Sequence, residues 1–123
     1  MLIQYGGINI LTDPHLAQRA SPLSFAWPKR FTPPGLSVAD LHKIDLIIIF
    51  HNHYDQLDRI TLEKLYEGQP NSTPHLFDPP KLKKWFLELG IKNVTELDWN
   101  ESIKFCEWLI HAVPVQNWSS RTP

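Results

Sequence analysis

The sequence predicts an α/β fold, a sheet covered on one face by helices. Three observations carry this expectation. Asp45-Leu46-Ile47-Ile48-Ile49-Phe50 holds a continuous apolar run, the pattern of a central strand buried on both faces. Leu82, Trp85, Phe86 and Leu89 fall at i, i+3, i+4 and i+7, which gathers them on one side of a helix. Several short β-prone runs surround these two segments and turn residues separate them.

The elements follow in order. Met1 to Tyr5 and Ile8 to Leu11 are β-prone runs joined by Gly6-Gly7, which predicts a tight hairpin. Thr12-Asp13-Pro14 ends its second strand. From Asp13 to Gly35 the chain is rich in proline, with Phe25, Trp27 and Phe31 available for packing, so an ordered loop is expected. Ser37 to Leu41 reads as a short helical turn. The apolar run then gives the central strand, and a helix from about Arg59 to Tyr66 follows. Leu62 and Leu65 are its inward residues, and Asp58 or Thr61 its cap. Gly68 to Pro74 is read as a loop. Asp78-Pro79-Pro80 predicts the start of a second helix, with an aspartate cap and a proline in the first turn, and Gly90 its end. Val94 to Leu97, Ile103 to Phe105 and Trp108 to Val113 are the remaining strands. Both ends of the chain fall in or beside sequence typical of a sheet interior, so residues 1–123 are expected to form a single, incomplete domain.

Composition narrows the functional classes. The chain has 123 residues, 42% hydrophobic and 20% charged, ordinary values for a folded domain. A formal net charge of -1 gives no electrostatic reason to expect a nucleic-acid partner. Cys106 is the one cysteine, which excludes an internal disulfide and fits a reducing compartment. Neither a signal peptide nor an apolar stretch long enough to cross a bilayer is apparent, and a cytoplasmic location is the expectation.

The residues that carry chemistry follow the central strand: His51-Asn52-His53-Tyr54-Asp55-Gln56-Leu57-Asp58. Residues two apart in an extended chain project to one side, so His51, His53 and Asp55 can converge. Two imidazoles and a carboxylate suit zinc, manganese or iron. Ligands of open α/β sheets gather beyond the carboxyl ends of the strands, where this run begins. A divalent ion held there would activate water for hydrolysis. The bland alternative is a solvated or capping His-x-His pair, to which the preceding apolar run and the following Asp55 and Asp58 are poorly suited. His15, His42, His75 and His111 lack ligand-like spacing and are expected to be structural or solvated. Cys106 reads as a strand-end or core thiol, Trp85-Phe86 as core, and Lys29-Arg30 as a surface pair. Ser119-Ser120 lacks the setting of a catalytic serine.

The run resembles the metallo-β-lactamase signature His-x-His-x-Asp-His, which follows a buried strand in that superfamily. Gly7 to Pro14, Arg19 to Pro22, Pro28 to Phe31, Pro33-Pro34-Gly35 and Glu96 to Trp99 are similar to its N-acyl-phosphatidylethanolamine-hydrolysing phospholipase D-like subgroup. The resemblance spans about Leu2 to Ser119 and implies part of an αββα sandwich with a mixed sheet. It also implies a one- or two-metal site and hydrolysis of a phosphodiester or similar ester.

Carried over residue by residue, the resemblance assigns His51 and His53 to the first metal. It assigns Asp55 to the second metal, as ligand and candidate catalytic carboxylate. The family's next ligand is a histidine, and Gln56 stands there. Val113-Pro114-Val115-Gln116-Asn117-Trp118 resembles the segment carrying a further histidine, and Asn117 holds that position. Neutral amide oxygens are weak zinc ligands beside imidazole. The expectation is therefore a metal-dependent hydrolase-like chain whose zinc, or other divalent ion, is weakly bound or absent, with little or no activity alone. Two alternatives stand beside it. One is an active hydrolase completed by a partner chain or an exchanged dimer. The other is a non-enzymatic interaction module that associates through an exposed sheet edge.

Overall fold

The computed structural model describes residues 1–16, 32–50, 58–69 and 72–114. Strands β1 (Leu2–Tyr5) and β2 (Ile8–Thr12) form an antiparallel hairpin in which Tyr5 faces Ile8 and Leu2 faces Leu11. Gly6 and Gly7 join them with φ of 57° and 76°. Two successive positive φ values define the hairpin turn whose twist suits the strands, and glycine takes them without steric cost.

A 3-10 turn at Val38–Asp40 leads into β3 (Leu46–Ile48), and α1 (Arg59–Gly68), β4 (His75–Asp78), α2 (Lys83–Glu88) and β5 (Val94–Glu96) follow. The sheet runs β1-β2-β3-β4-β5, with β2 to β5 mutually parallel and β1 antiparallel at one edge. This is the mixed sheet expected.

Alternation along the strands divides the core into two faces. Leu11, Ile47, Ile49, Leu76 and Val94 meet Leu62 and Leu65 of α1 and Phe86 of α2. Ile10, Leu46 and Phe77 point the other way. On that second face lies a hairpin of β6 (Ser102–Phe105) and β7 (Trp108–His111), which turns Ile103, Phe105, Trp108 and Ile110 toward the sheet. The arrangement is helices, main sheet, then a small second sheet. The edge of the Trp108 ring also meets Tyr5 with ring centroids 5.5 Å apart, tying the two hairpins together.

Two expectations need correction. His75 to Asp78 is a strand paired on both sides, whereas the sequence reading left it unassigned before the second helix. Four residues are too few to display a period, so β4 carried no readable signal. For the same reason Asp78 does not cap a helix: it ends β4, and its carbonyl accepts the Leu97 N–H at 3.0 Å. Helix α2 starts later, at Lys83, after Leu82. Its opening N–H groups are met from another strand, since Glu96 Oε1 accepts from Lys81 at 3.1 Å and Lys83 at 2.9 Å.

Candidate metal centre

The carboxyl ends of the parallel strands lie along one edge of the sheet, and three of them carry an acidic residue there. Asp13 follows β2, Phe50 follows β3 and precedes His51 in sequence, Asp78 ends β4 and Glu96 ends β5. Parallel strands with crossover helices bring every such terminus to the same side, which is where open α/β sheets place their ligands.

Asp13 holds the start of the run. Its backbone N–H donates to the Ile48 carbonyl at 2.9 Å, and its Oδ1 accepts the Phe50 N–H at 3.0 Å. One side chain thus takes over the ladder where β3 leaves the sheet. Asp13 adopts φ of 38°, a left-handed conformation for which aspartate is among the better-suited residues.

Asp58 holds the other end. It is 7% exposed and caps α1 by accepting the Ile60 N–H at 3.1 Å, as the sequence predicted for one of two candidates. The other candidate, Thr61, supports it instead: its hydroxyl donates to Asp58 Oδ2 at 2.5 Å and accepts the Leu16 N–H at 2.9 Å.

Asp78 differs from both. It is buried, and among the described residues neither carboxylate oxygen has a hydrogen-bond partner. Its carboxyl is pushed up to about 8, first by burial and then by the charge of Glu96, with Lys83 opposing. Sequence reasoning assigned no site role to Asp13, Asp78 or Glu96. The readable signal was an acid directly after, or at the end of, a β-prone run, as at Asp13 and Glu96.

The predicted ligands His51, His53 and Asp55, with Gln56 and Asn117, lie outside the described residues, as do Lys29, Arg30, Ser119 and Ser120. Among the described residues no group of three or more His, Cys, Asp or Glu side chains could hold a metal. Asp13 bonds to Phe50, the residue before the histidine run in sequence, and Asp58 ends the run as the cap of α1.

The other histidines have structural settings. His75 lies between Phe77 and Phe105, bonds to Thr95 Oγ1 at 2.8 Å, and has its pKa lowered by burial. His111 is exposed on β7 and bonds to Ser102 across the hairpin. The carbonyl of His42 accepts from Gln69 at 3.1 Å. His15 lies beside Asp58, Nδ1 to Oδ2 being 3.3 Å. Cys106 is exposed in the β6–β7 turn, a strand-end thiol and not a core one. Trp85 and Phe86 pack edge to face, centroids 5.1 Å apart, with Phe86 fully buried.

Residues 8–123 match the family described as beta-lactamase superfamily domain. The chain belongs to this family. It is 39% identical over 112 residues to N-acyl-phosphatidylethanolamine-hydrolyzing phospholipase D 1 of Caenorhabditis elegans, covering 85% of this chain and 30% of that protein. An uncharacterised protein of Mycobacterium tuberculosis is 34% identical over 98% of this chain and 32% of its own length. The mitochondrial N-acyl-phosphatidylethanolamine-hydrolyzing phospholipase D of Saccharomyces cerevisiae is 32% identical over 96% of this chain and 25% of its own. The chain thus spans about a third or less of the curated relatives it matches. Among solved structures, CmlA, a diiron beta-hydroxylase from Streptomyces venezuelae, superposes with a TM-score of 0.68 at 22% identity. That match covers 94% of this chain and 22% of CmlA, and it concerns the fold alone. Among the described residues no helix is long and apolar enough to cross a membrane.

Proposed function

We propose that this chain carries the histidine-run portion of a metal-dependent hydrolase of phosphodiesters or similar esters. By itself it holds its metal weakly and turns over little or no substrate. One observation carries the reading: His51, His53 and Asp55 follow β3 directly in sequence, and the resemblance puts Gln56 and Asn117 where the family has histidines.

The donor set fits a divalent ion in type. His51 and His53 would hold it, and Asp55 would hold it or orient water beside it. Asp13 and Asp58 support this reading by fixing the residues on either side of the run. The set falls short in number. Loss of a residue that merely orients a ligand costs about 10–100-fold in metal affinity, and loss of a ligand itself costs more. A divalent ion, zinc being the leading choice, supplies Lewis-acid activation of water. The names of the worm and yeast relatives point to a phospholipid phosphodiester as the substrate class. A second copy paired along the exposed outer strand β1 is the association most consistent with the sheet.

Zinc affinity by chelator competition and hydrolysis of bis(p-nitrophenyl) phosphate, each in wild type and in Gln56→His/Asn117→His, test this reading. Wild type should hydrolyse at the buffer rate, and the double variant should bind zinc at least roughly tenfold more tightly. Zinc-dependent turnover by wild type would overturn the proposed inactivity. An unchanged affinity in the double variant would overturn the ligand assignment.

A further inference from the structure

Helix α2 has no cap from its own N-terminal residue. Leu82 stands at the cap position without a side-chain hydrogen bond, and the Lys83 N–H is met from β5, where Glu96 Oε1 accepts it at 2.9 Å. The same oxygen accepts the Lys81 N–H at 3.1 Å. Lys81 has φ of 80°, a left-handed conformation that a lysine keeps where its surroundings hold it. One carboxylate oxygen therefore fixes both a strained turn and the start of the helix that leaves it.

Asp78 stands directly across from Glu96 in the parallel register of β4 and β5, where neighbouring strands lie about 4.8 Å apart. Leu76 and Val94, two residues earlier on each strand, face the helices, so both acids are on that face too. Asp78 is 3% exposed, and among the described residues neither oxygen has a hydrogen-bond partner. The charged groups that act on it are Glu96 on β5 and Lys83 on α2, while Ile49, beside it on β3, is uncharged and buried. A divalent ion on two carboxylates needs waters to complete its shell, and so closed a carboxyl gives them no way in. A proton needs none.

We propose that Asp78 is a proton-operated latch on the connection between β4 and α2. Protonated, it lies beside the Glu96 carboxylate without repulsion, and Glu96 holds the Lys81 and Lys83 N–H groups. Ionised, it sets a second negative charge, shielded from water, against Glu96. The two carboxylates separate, the N–H groups are released, and Lys81 relaxes to negative φ. The sheet ladder holds β4 and β5, so the turn between β4 and α2 is the part that moves. Burial and the Glu96 charge push the Asp78 carboxyl up to about 8, so release is complete only in weakly alkaline solution. The latch does not depend on a metal at the histidine run.

Nuclear magnetic resonance of the whole chain, with chelator present, tests the latch. The Asp78 carboxyl carbon should titrate well above the ordinary carboxylate range. The Lys81 and Lys83 amide protons should lose their carboxylate-bonded shifts over the same pH interval, and in Asp78→Asn they should keep them to pH 9. Trypsin gives a second readout. The ratio of wild-type to Asp78→Asn cleavage after Lys81 should rise by roughly tenfold from pH 6 to pH 9, as loss of one hydrogen bond to a charged group implies. The ratio after Lys64 in α1 should stay constant. Should Asp78→Asn fail to fold, Lys83→Gln replaces it and should raise the midpoint of both titrations, because the ammonium favours the ionised form. Asp78 titrating near 4, amide shifts that ignore its titration, or an equal rise in cleavage at every lysine would overturn the inference.

Discussion

At the scale of single residues, Asp78 is a buried carboxyl with neither oxygen hydrogen-bonded among the described residues, and burial favours its protonated form. The unfolded chain releases that proton near 3.8, whereas in the folded chain burial and the Glu96 charge hold it to about 8. The native state then binds more protons between those values. Stability from this group is fully present below pH 4, falls as pH rises toward 8, and levels off above. Each unit of the interval is worth about 1.4 kcal/mol. Asp78→Asn removes the titration, so its unfolding free energy should gain on wild type from pH 5 to about pH 8 in urea titrations and then hold a constant difference. Parallel pH profiles for the two proteins would show that Asp78 is ionised in the fold. Residues of this kind were not legible in the sequence. Asp78-Pro79-Pro80 reads as a helix start because local chemistry favours a cap there. Only pairing with β3 and β5 turns the same aspartate into a strand end. Asp58 was legible because capping is a local interaction, settled by neighbours in sequence.

At the scale of elements, the strongest patterns proved to be the elements that build the main core. The apolar run became β3, and Leu62 and Leu65 became the fully buried side of α1. Helix α2 is shorter than its pattern, because Glu96 on β5 receives its first N–H groups and moves the start beyond Pro80. Its end follows the sequence. Gly90 has φ of 84°, and its N–H donates to the Leu87 carbonyl at 3.0 Å. No atom lies within 4 Å of where a β-carbon would stand. Gly90→Ala therefore tests backbone strain without a clash, and it should destabilise by about 1–2 kcal/mol in denaturant unfolding. A neutral result would mean the turn relaxes to negative φ. Removing the α1 cap with Asp58→Ala should cost about 0.5–2 kcal/mol, seen as a lower thermal midpoint.

At the scale of the whole molecule, the sheet has one face closed by helices and the other met by the β6–β7 hairpin. Phe86 joins α2 to the helical face and is fully buried. Phe86→Ala should cost about 3–5 kcal/mol and, in so short a chain, bring it close to unfolding at ambient temperature. The fold class, a sheet with helices on one face, was readable from periodicity, and the family from several short motifs in sequence order; the seat of the β6–β7 hairpin on the other face was not readable from periodicity. The edge where chemistry would gather was readable as a place, but not the partners of Asp13 and Glu96, because these bond to groups distant in sequence. We propose that the histidine run, which follows β3 in sequence, marks that place, and that Gln56 and Asn117 limit what it can do there. Zinc content of the purified chain, loaded with the metal and then dialysed without chelator, tests this most directly. The account predicts well under one zinc per chain, and one or more equivalents surviving dialysis would contradict it.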